Sequence, residues 1–498
     1  MLRFITRRRG PSTIHATIPC PANFTVTALL GLMIGLSIAS VRCADAADKP
    51  NVLFIICDDL NCDIGCYGDD TMDTPNIDAL AARGVRFADA HCQYPLCGPS
   101  RASFMTGMYP DQTGIVQNAI FLRETLRKDV RSMPMAFRDA GYHATRIGKL
   151  YHYDVPLHIG TGGHDDPYSW DRTLNPIGHD RKIHDKIFTL EPGRFGGTMS
   201  WYADDGPDER QTDGIAATMA EGVLAEYARG QTPFFLAVGL YRPHTPYVAP
   251  KPYFEKYPVD EITVPQVPDG YLETLPGPAR QTLRAKKAQR DLSPVLARSA
   301  IQAYHASISF ADAQIGRILD ALDQNGLRDN TIIVFTSDHG YHMGQHDWYQ
   351  KQTLFTNGTR VPMIIAGPGV SVGGRSASMA EMVDLFPTLC DLADIETPSN
   401  VAGMSLTPTL ADPSVVVRDD ALSRLRSGVS LVTPEYRITA WGERGEDGFE
   451  FYDREKDPEE MVNRADDPAL GDVIAEMKQQ LFQRAEAAKE IPPKVRRR

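Results

Sequence analysis

The chain has 498 residues, of which 52 are Lys or Arg and 64 are Asp or Glu, so its formal net charge is −12. Hydrophobic residues make up 42% and charged residues 23%, a globular composition that excludes a disordered chain, a collagen-like chain and a small disulfide-stapled scaffold. The acidic balance argues against nucleic-acid binding, and an anionic substrate would need a local basic pocket.

The N-terminal segment, residues 1–46, is predicted to be a signal peptide. A basic stretch precedes an apolar run at residues 25–41, and the small residues Ala44 and Ala46 offer a cleavage site. The alternative is an uncleaved membrane anchor, although the run is short for a span. The leader predicts an exported protein in a periplasmic, secreted or lysosome-like compartment, which meets a membrane only through this segment if at all.

Short apolar runs rich in β-branched residues predict buried strands at 51–57, 232–240, 330–338 and 361–367. Between the second and third runs, apolar residues recur at helical spacing from 296 to 325. Strands that alternate with helices predict an α/β fold, with a large, mostly parallel sheet sandwiched by helices. Sites in such folds lie at the carboxyl ends of the strands.

The sequence pattern changes near residue 416. From there, short segments separated by polar turns are typical of antiparallel strands. A helix is predicted to follow over residues 469–488. We therefore predict a catalytic domain at 47–415 and a smaller C-terminal subdomain, of antiparallel sheet plus helix, at 416–498. Residues 151–202 predict long loops, which often line a substrate pocket, although a plain surface insertion fits equally well.

Two of the predicted strands are followed by polar pairs, Asp58-Asp59 and Asp338-His339. Like charges at the rim of an apolar sheet are costly unless a cation neutralises them, and carboxylate oxygens suit a hard divalent cation. His339 fits such an ion less well, because imidazole prefers softer metals. The alternative is that the aspartates cap the following helices. Because both pairs follow predicted strands, the pattern favours a metal site.

The segment LCGPSRASFMTGMYP, residues 96–110, predicts a helix that begins near Pro99, with Cys97 just before its N-terminus. Such a position favours a thiolate or an anionic ligand, and Arg101 adds a fixed positive charge. The alternative is an ordinary core cysteine.

Further basic side chains follow predicted strands or turns that would face the same rim of the sheet: Lys149, His152, His244 and Lys351. Any one of them alone is more often a surface group or a satisfied core group. Their common predicted position favours a shared site.

Together these motifs resemble those of the formylglycine-dependent sulfatases. CGPSR at 97–101 fits the signature Cys, any residue, Pro, any residue, Arg, and Thr106-Gly107 supplies the downstream TG pair. GKLYH at 148–152 and RPHTPY at 242–247 most resemble the iduronate-2-sulfatase branch. The resemblance covers nearly the whole chain after the leader. It implies an alkaline-phosphatase-like fold and a sulfuric ester hydrolase.

The resemblance also implies how the reaction runs. A formylglycine-generating enzyme would convert Cys97 to formylglycine (3-oxoalanine) before folding, reading the linear segment that contains Pro99 and Arg101. One hydroxyl of the hydrated aldehyde would attack the sulfate sulfur, and the other would then expel sulfate. A plain alcohol would lack the second hydroxyl.

By the same resemblance, one calcium ion lies among the side chains of Asp58, Asp59, Cys97, Asp338 and His339. Arg101, Lys149 and Lys351 would hold the sulfate oxygens. His152 would act as a general acid/base at the modified cysteine, and His244 or Lys351 would protonate the leaving alcohol.

The expected substrate is a sulfated sugar, such as a uronic acid 2-sulfate, or a unit of a glycosaminoglycan or another polysaccharide. The basic run RQTLRAKKAQR, residues 280–290, would suit a polyanion, although a solvated helix face is the simpler account.

Two rival functions remain open at this stage. One is a phosphate or phosphonate ester hydrolase on the same fold, against which Cys97 counts, since such a nucleophile is normally Ser or Thr. The other is a secreted carbohydrate-binding protein that has lost catalysis, against which the completeness of the polar set counts.

Overall fold

The computed structural model describes residues 49–490, so the predicted signal peptide lies outside the described residues. In chain order the strands are β1 (Asn51–Asp58), β2 (Val85–His91), β3 (His143–Gly148), β4 (Arg172–Leu174), β5 (Phe188–Thr189), β6 (Ser200–Asp204), β7 (Phe234–Pro243), β8 (Tyr247–Pro250), β9 (Thr331–Ser337), β10 (Arg360–Ala366), β11 (Gly374–Ser376), β12 (Ala380–Glu381), β13 (Ala421–Leu425), β14 (Gly428–Val432), β15 (Tyr436–Trp441) and β16 (Gly448–Asp453). The α-helices are α1 (Pro75–Ala81), α2 (Cys97–Thr106), α3 (Pro110–Thr113), α4 (Leu122–Thr125), α5 (Met133–Asp139), α6 (Thr212–Tyr227), α7 (Lys251–Glu255), α8 (Gly277–Leu283), α9 (Pro294–Gln324), α10 (Thr356–Thr359), α11 (Leu385–Leu392), α12 (Thr407–Ala411) and α13 (Gly471–Ala487). Among the helices of residues 49–490, none is both long and apolar enough to cross a bilayer.

Strand β1 is covered on both faces of the central sheet by helices. Leu53 and Ile55 pack in the apolar cluster that includes α6 and α9, whereas Phe54 and Ile56 pack in the cluster that includes α2, α5 and α11. Successive side chains of a strand point to opposite faces, so a strand covered on both sides must be apolar throughout. Residues 52–57 of β1 are all apolar and meet that requirement, its polar residues Asn51 and Asp58 lie at the two ends, and the whole strand is buried.

The main sheet has the order β11-β2-β10-β9-β1-β7-β3-β4, with β12 beside β2. Strand β10 runs antiparallel to β2 and β9, and the other pairings in this sheet are parallel. The predicted α/β architecture with helices on both faces is therefore confirmed, with β10 making the sheet mixed. Because β1, β7 and β9 are parallel neighbours, their carboxyl ends share one edge of the sheet.

The C-terminal part contains a four-stranded antiparallel sheet, β13-β14-β15-β16, beside α13. This confirms the expected antiparallel sheet with a helix. The boundary between 47–415 and 416–498 stays a prediction. In the predicted loop region 151–202, most of the chain is irregular, and β5 and β6 join β8 in a small third sheet.

Strand β3 and helix α6 were missed by the sequence prediction, for physical reasons. Arg146 interrupts the apolar pattern of β3, yet it is buried because Asp165 pairs with its Nε at 2.8 Å. Helix α6 packs largely through small residues such as Ala216 and Ala220, so its sequence has little helical hydrophobic periodicity. Strand β7 also continues to Pro243, three residues beyond the predicted end.

A buried arginine in the C-terminal sheet connects it to the segment before β10. Arg437 donates from Nε to Glu460 at 2.7 Å, and its guanidinium lies 4.9 Å from the ring centroid of Phe355 and 4.6 Å from that of Tyr452. Glu460 in turn accepts hydrogen bonds of 2.8 Å from the backbone N–H and the hydroxyl of Thr356. This network holds the chain just after Lys351.

We expect Arg437→Met to lower the free energy of unfolding by about 3–5 kcal/mol, because it leaves the buried carboxylate of Glu460 without its cation. The midpoint of urea unfolding measures this loss. The exposed pair of Lys489 and Glu486 provides the control, since Lys489→Met should leave the midpoint nearly unchanged. An Arg437→Met protein as stable as the wild type would show that the network does not hold the two parts together.

Candidate active site

The acidic side chains of the site come from two neighbouring strands. Asp58 ends β1, Asp59 follows it, and Asp338 follows β9. Because β1 and β9 are parallel, with Cys57 opposite Ser337, the acidic residues after them meet. The backbone N–H of Asp59 donates to Asp338 Oδ1 at 3.1 Å, and all three aspartates are fully buried.

Cys97 lies beside these carboxylates. Its Sγ is 3.3 Å from His339 Nε2 and 3.8 Å from Asp59 Oδ1, and Lys351 Nζ approaches it to 3.2 Å. Helix α2 begins at Cys97 itself. The prediction that Cys97 precedes a helix starting near Pro99 is therefore wrong, because Cys97 is the first residue of the helix. The consequence is small, since the thiol still stands at the positive end of the helix.

Arg101 lies one turn along α2 and faces the carboxylates. Its Nε donates to Asp338 Oδ2 at 2.9 Å, and one terminal nitrogen donates to Asp58 Oδ1 at 3.0 Å. The other terminal nitrogen donates to the carbonyls of Lys149 and Leu150 at 2.7 and 3.2 Å. Since these donors are engaged within the protein, the geometry favours a role in positioning the aspartates over the expected role of holding sulfate oxygens.

Two buried lysines neutralise the remaining acidic charge. Lys149 forms an ion pair with Asp58, and Lys351 forms one with Asp59. Burial alone would raise the pKa of Asp58, but Lys149, His244 and Arg101 hold that pKa well below its usual range. Burial raises the pKa of Asp59 to about 7, although Lys351 opposes the rise.

The donor set fits a divalent cation. Ligand atoms of Asp59, Cys97, Asp338 and His339 all lie within 4.8 Å of one another. Asp59 Oδ2 is buried and has no hydrogen-bond partner in the described structure, an expensive arrangement that a cation would relieve. Asp58 lies in a neighbouring group with Asp59 and His244 rather than in this four-residue group.

The charges around the site also set the pKa of His339. Burial lowers the pKa of its imidazole, but Asp338 and Cys97 outweigh that effect and raise it to about 9. Its Nδ1 contacts the carbonyl of Gly340 at 2.8 Å, so Nε2 faces Asp59 and Asp338 at 3.3 and 3.5 Å. Binding of a cation through Nε2 would require loss of the proton there, as for any ligating histidine.

The other two predicted histidines flank the site. His244 Nε2 is 3.7 Å from Asp59 Oδ2, and its Nδ1 contacts the carbonyl of Thr245 at 2.6 Å. His152 Nε2 is 3.2 Å from Asp154 Oδ1, and its buried Nδ1 has no partner in the described structure. Burial lowers the pKa of both histidines. Asp154 is not predictable from the sequence, since a carboxylate two residues from a histidine in a loop carries no distinguishing pattern.

A cavity of about 350 Å³ opens over this centre. His152, His244 and Lys351 line it, together with the loops at 153–157 and 193–197. Its volume suits a small molecule such as a saccharide unit. The structure thus brings every predicted site residue to one cavity or to the buried centre next to it. The six described cysteines are free thiols, so no disulfide among them constrains the site.

Comparisons with known proteins agree with this geometry. The sequence model of the Sulfatase family matches residues 50–395, and that of the N-sulphoglucosamine sulphohydrolase C-terminal region matches 344–487. A sulfatase of Formosa agariphila is 33% identical, over 87% of this chain and 88% of that protein. Human iduronate 2-sulfatase is 32% identical, over 74% of each chain.

Among solved structures, a phosphonate monoester hydrolase of Agrobacterium radiobacter superimposes with a TM-score of 0.74 at 24% identity, covering 88% of this chain and 96% of that one. At that identity the likeness concerns the fold. The match of the family model over most of the chain, together with relatives more than 30% identical, shows the function class: the chain belongs to the sulfatase family and is a sulfuric ester hydrolase.

Proposed function

We propose that this sulfatase removes sulfate from a sulfated sugar, of the glycosaminoglycan or polysaccharide type, with Cys97 converted to formylglycine and a calcium ion beside it. The observation that carries the proposal is the position of the Cys97 thiol. It lies at the start of a helix, among buried carboxylates, within 3.3 Å of both Lys351 Nζ and His339 Nε2. A core cysteine has no need of such neighbours.

The residues around Cys97 have complementary tasks. When hydrated, the converted side chain would offer one hydroxyl for attack on sulfur and a second for release of sulfate. Lys351 is placed to stabilise negative charge at that position, and it also lines the cavity. His152, whose buried Nδ1 lacks a partner in the described structure, is placed to take or return a proton.

The cation would be held by Asp59, Cys97, Asp338 and His339, with Asp58 in the adjoining group. When bound, calcium would polarise the sulfate oxygens and favour an ionised hydroxyl on residue 97. Arg101 keeps the carboxylates of Asp58 and Asp338 oriented toward this centre. The leaving alcohol would take its proton from His244 or Lys351, both of which line the cavity.

The sugar assignment is supported by a relative named iduronate 2-sulfatase and by a cavity of saccharide size. We further propose that the leader directs export and that a formylglycine-generating enzyme modifies the chain during maturation. Both fit a linear CGPSR segment and an N-terminal apolar run.

Turnover of 4-nitrophenyl sulfate should exceed that of 4-nitrophenyl phosphate, and Cys97→Ala should reduce sulfate release by roughly a thousandfold or more. Release of 4-nitrophenol measures both. Cys390→Ala is the matched control, because Cys390 is a buried thiol in the apolar core away from the site and its loss should leave kcat unchanged. A strong preference for the phosphate ester would instead favour the phosphate or phosphonate hydrolase.

The same preparation needs peptide mass spectrometry across Cys97, since only a chain made with the modifying enzyme carries the aldehyde in place of the CH2–SH group. A converted Cys97 with sugar binding but no release of sulfate would contradict the proposal. An unmodified Cys97 in protein from the native host, with sugar binding only, would favour the carbohydrate-binding alternative.

Calcium should raise the midpoint of thermal unfolding and EDTA should lower it, because a ligand that binds only the folded state stabilises it. Asp59→Asn removes the carboxylate whose Oδ2 is unpartnered and should abolish the shift. Asp205→Asn, at an exposed position, should retain it. Differential scanning calorimetry with and without calcium makes this comparison. An undiminished shift in Asp59→Asn would exclude this group as the cation site.

A further inference from the structure

We propose that Lys286 binds a second negative group on the substrate, so that the preferred substrate carries a carboxylate or another sulfate near the ester that is cleaved. This inference rests on the proposed sulfatase function and narrows its substrate class. Lys286 belongs to the basic run 280–290. A solvated helix face was the simpler account of that run.

The structure separates Lys286 from its basic neighbours. Of the run, Lys286, which precedes a short helical turn, is the residue that lines the cavity above Cys97. Lys287 beside it is exposed and does not line the cavity. Arg284 is engaged at the surface by Glu273 at 3.2 Å. One lysine of the run is therefore directed to the site, and an adjacent one is not.

The ammonium of Lys286 has no ion pair or hydrogen bond within residues 49–490. It is half-buried, and it lies against Gly197, where an added Cβ would stand 3.4 Å from its Nζ. The other cation of the cavity wall, Lys351, is already paired with Asp59. The carboxylate of Asp154 at the same cavity is engaged by His152. Lys286 thus leaves an uncompensated positive charge on the wall.

The loop that carries Lys286 is fixed by the hydrogen bonds of Gln289. Gln289, three residues later, is buried; its amide donates to the carbonyl of Tyr349 at 2.9 Å and its oxygen accepts from the N–H of Met199 at 3.1 Å. These bonds tie the loop of Lys286 to the segment that leads to Lys351 and to the segment that follows Gly197. A charge held at a constant place beside the reacting centre is suited to orienting a substrate.

A cation of this kind discriminates by charge. A substrate with a single sulfate would leave Lys286 without a partner, whereas a uronate carboxylate or a second sulfate would form a charge-assisted hydrogen bond. Lys286 and Lys351 line the same cavity of about 350 Å³, and Lys351 Nζ approaches Cys97 Sγ to 3.2 Å, so one sugar unit in this cavity would meet both Lys286 and the reacting centre. The substrate class is therefore an anionic saccharide with at least two negative groups.

The test compares a 2-O-sulfated uronic acid disaccharide with its uronate methyl ester. In the wild type the acid should have a kcat/KM about tenfold higher than the ester, through KM. Lys286→Met should abolish that preference, and Lys286→Arg should largely restore it. Lys287→Met, the same change one residue away, should leave it intact. Wild type and Lys287→Met should turn over 4-nitrophenyl sulfate at similar rates, and Lys286→Met should change that rate far less than it changes kcat/KM for the acid, because the aryl ester carries no second charge.

The outcomes distinguish the two sources of charge. If the preference lost in Lys286→Met depends instead on a second sulfate, tested with a disulfated disaccharide and its monosulfated form, that sulfate is the partner. The inference would be overturned if wild type and Lys286→Met showed equal preferences for both pairs of substrates, if Lys287→Met had the same effect as Lys286→Met, or if the aryl ester were turned over and no saccharide were. Failure of the proposed function would appear separately, as absence of sulfate release from every ester.

Discussion

Compensation of buried negative charge is the constraint on which the site depends. Asp58, Asp59 and Asp338 are fully buried at the ends of two parallel strands, where isolated carboxylates would be strongly destabilising. Three buried cations compensate this charge, each in contact with at least one of the aspartates: Arg101, Lys149 and Lys351. The cations come from a helix and two loops, so meeting this electrostatic requirement also assembles the reactive centre.

The compensation of charge is incomplete at Asp59 Oδ2, which has no hydrogen-bond partner in the described structure. The network of ion pairs therefore does more than neutralise charge. A buried ion pair often contributes little net stability, because desolvation offsets attraction. The value of this network lies in the orientation of its members. Arg101 uses its donors on protein groups and so directs oxygens of Asp58 and Asp338, while Lys351 bridges Asp59 and Cys97.

The parts of the fold and site that could be predicted from sequence are those encoded locally. Strands β1 and β9 were predictable because burial on both faces demands an unbroken apolar run. The Cys97 segment was recognisable because its signature lies in five consecutive residues. Strand β3 was missed because Arg146 becomes tolerable only when Asp165 arrives from a distant loop. The charge of Arg101 is visible in the sequence, whereas the direction of its donors, toward Asp58 and Asp338, is not.

Loop residues mark the limit of such prediction. Lys286 and Lys287 are identical in type and adjacent in sequence, yet only the first lines the cavity. Gln289, which follows in the same loop, forms hydrogen bonds to Tyr349 and Met199 that fix the loop in place. Such contacts join segments that are 60 and 90 residues apart in the chain. No local pattern reports them.

The bond between Glu460 and Thr356 has a consequence for biosynthesis. Thr356 lies shortly after Lys351, whereas Glu460 lies 104 residues further along the chain and Arg437 lies 23 residues before Glu460. The segment that bears Lys351 therefore acquires this support only after residues 437–460 have been synthesised.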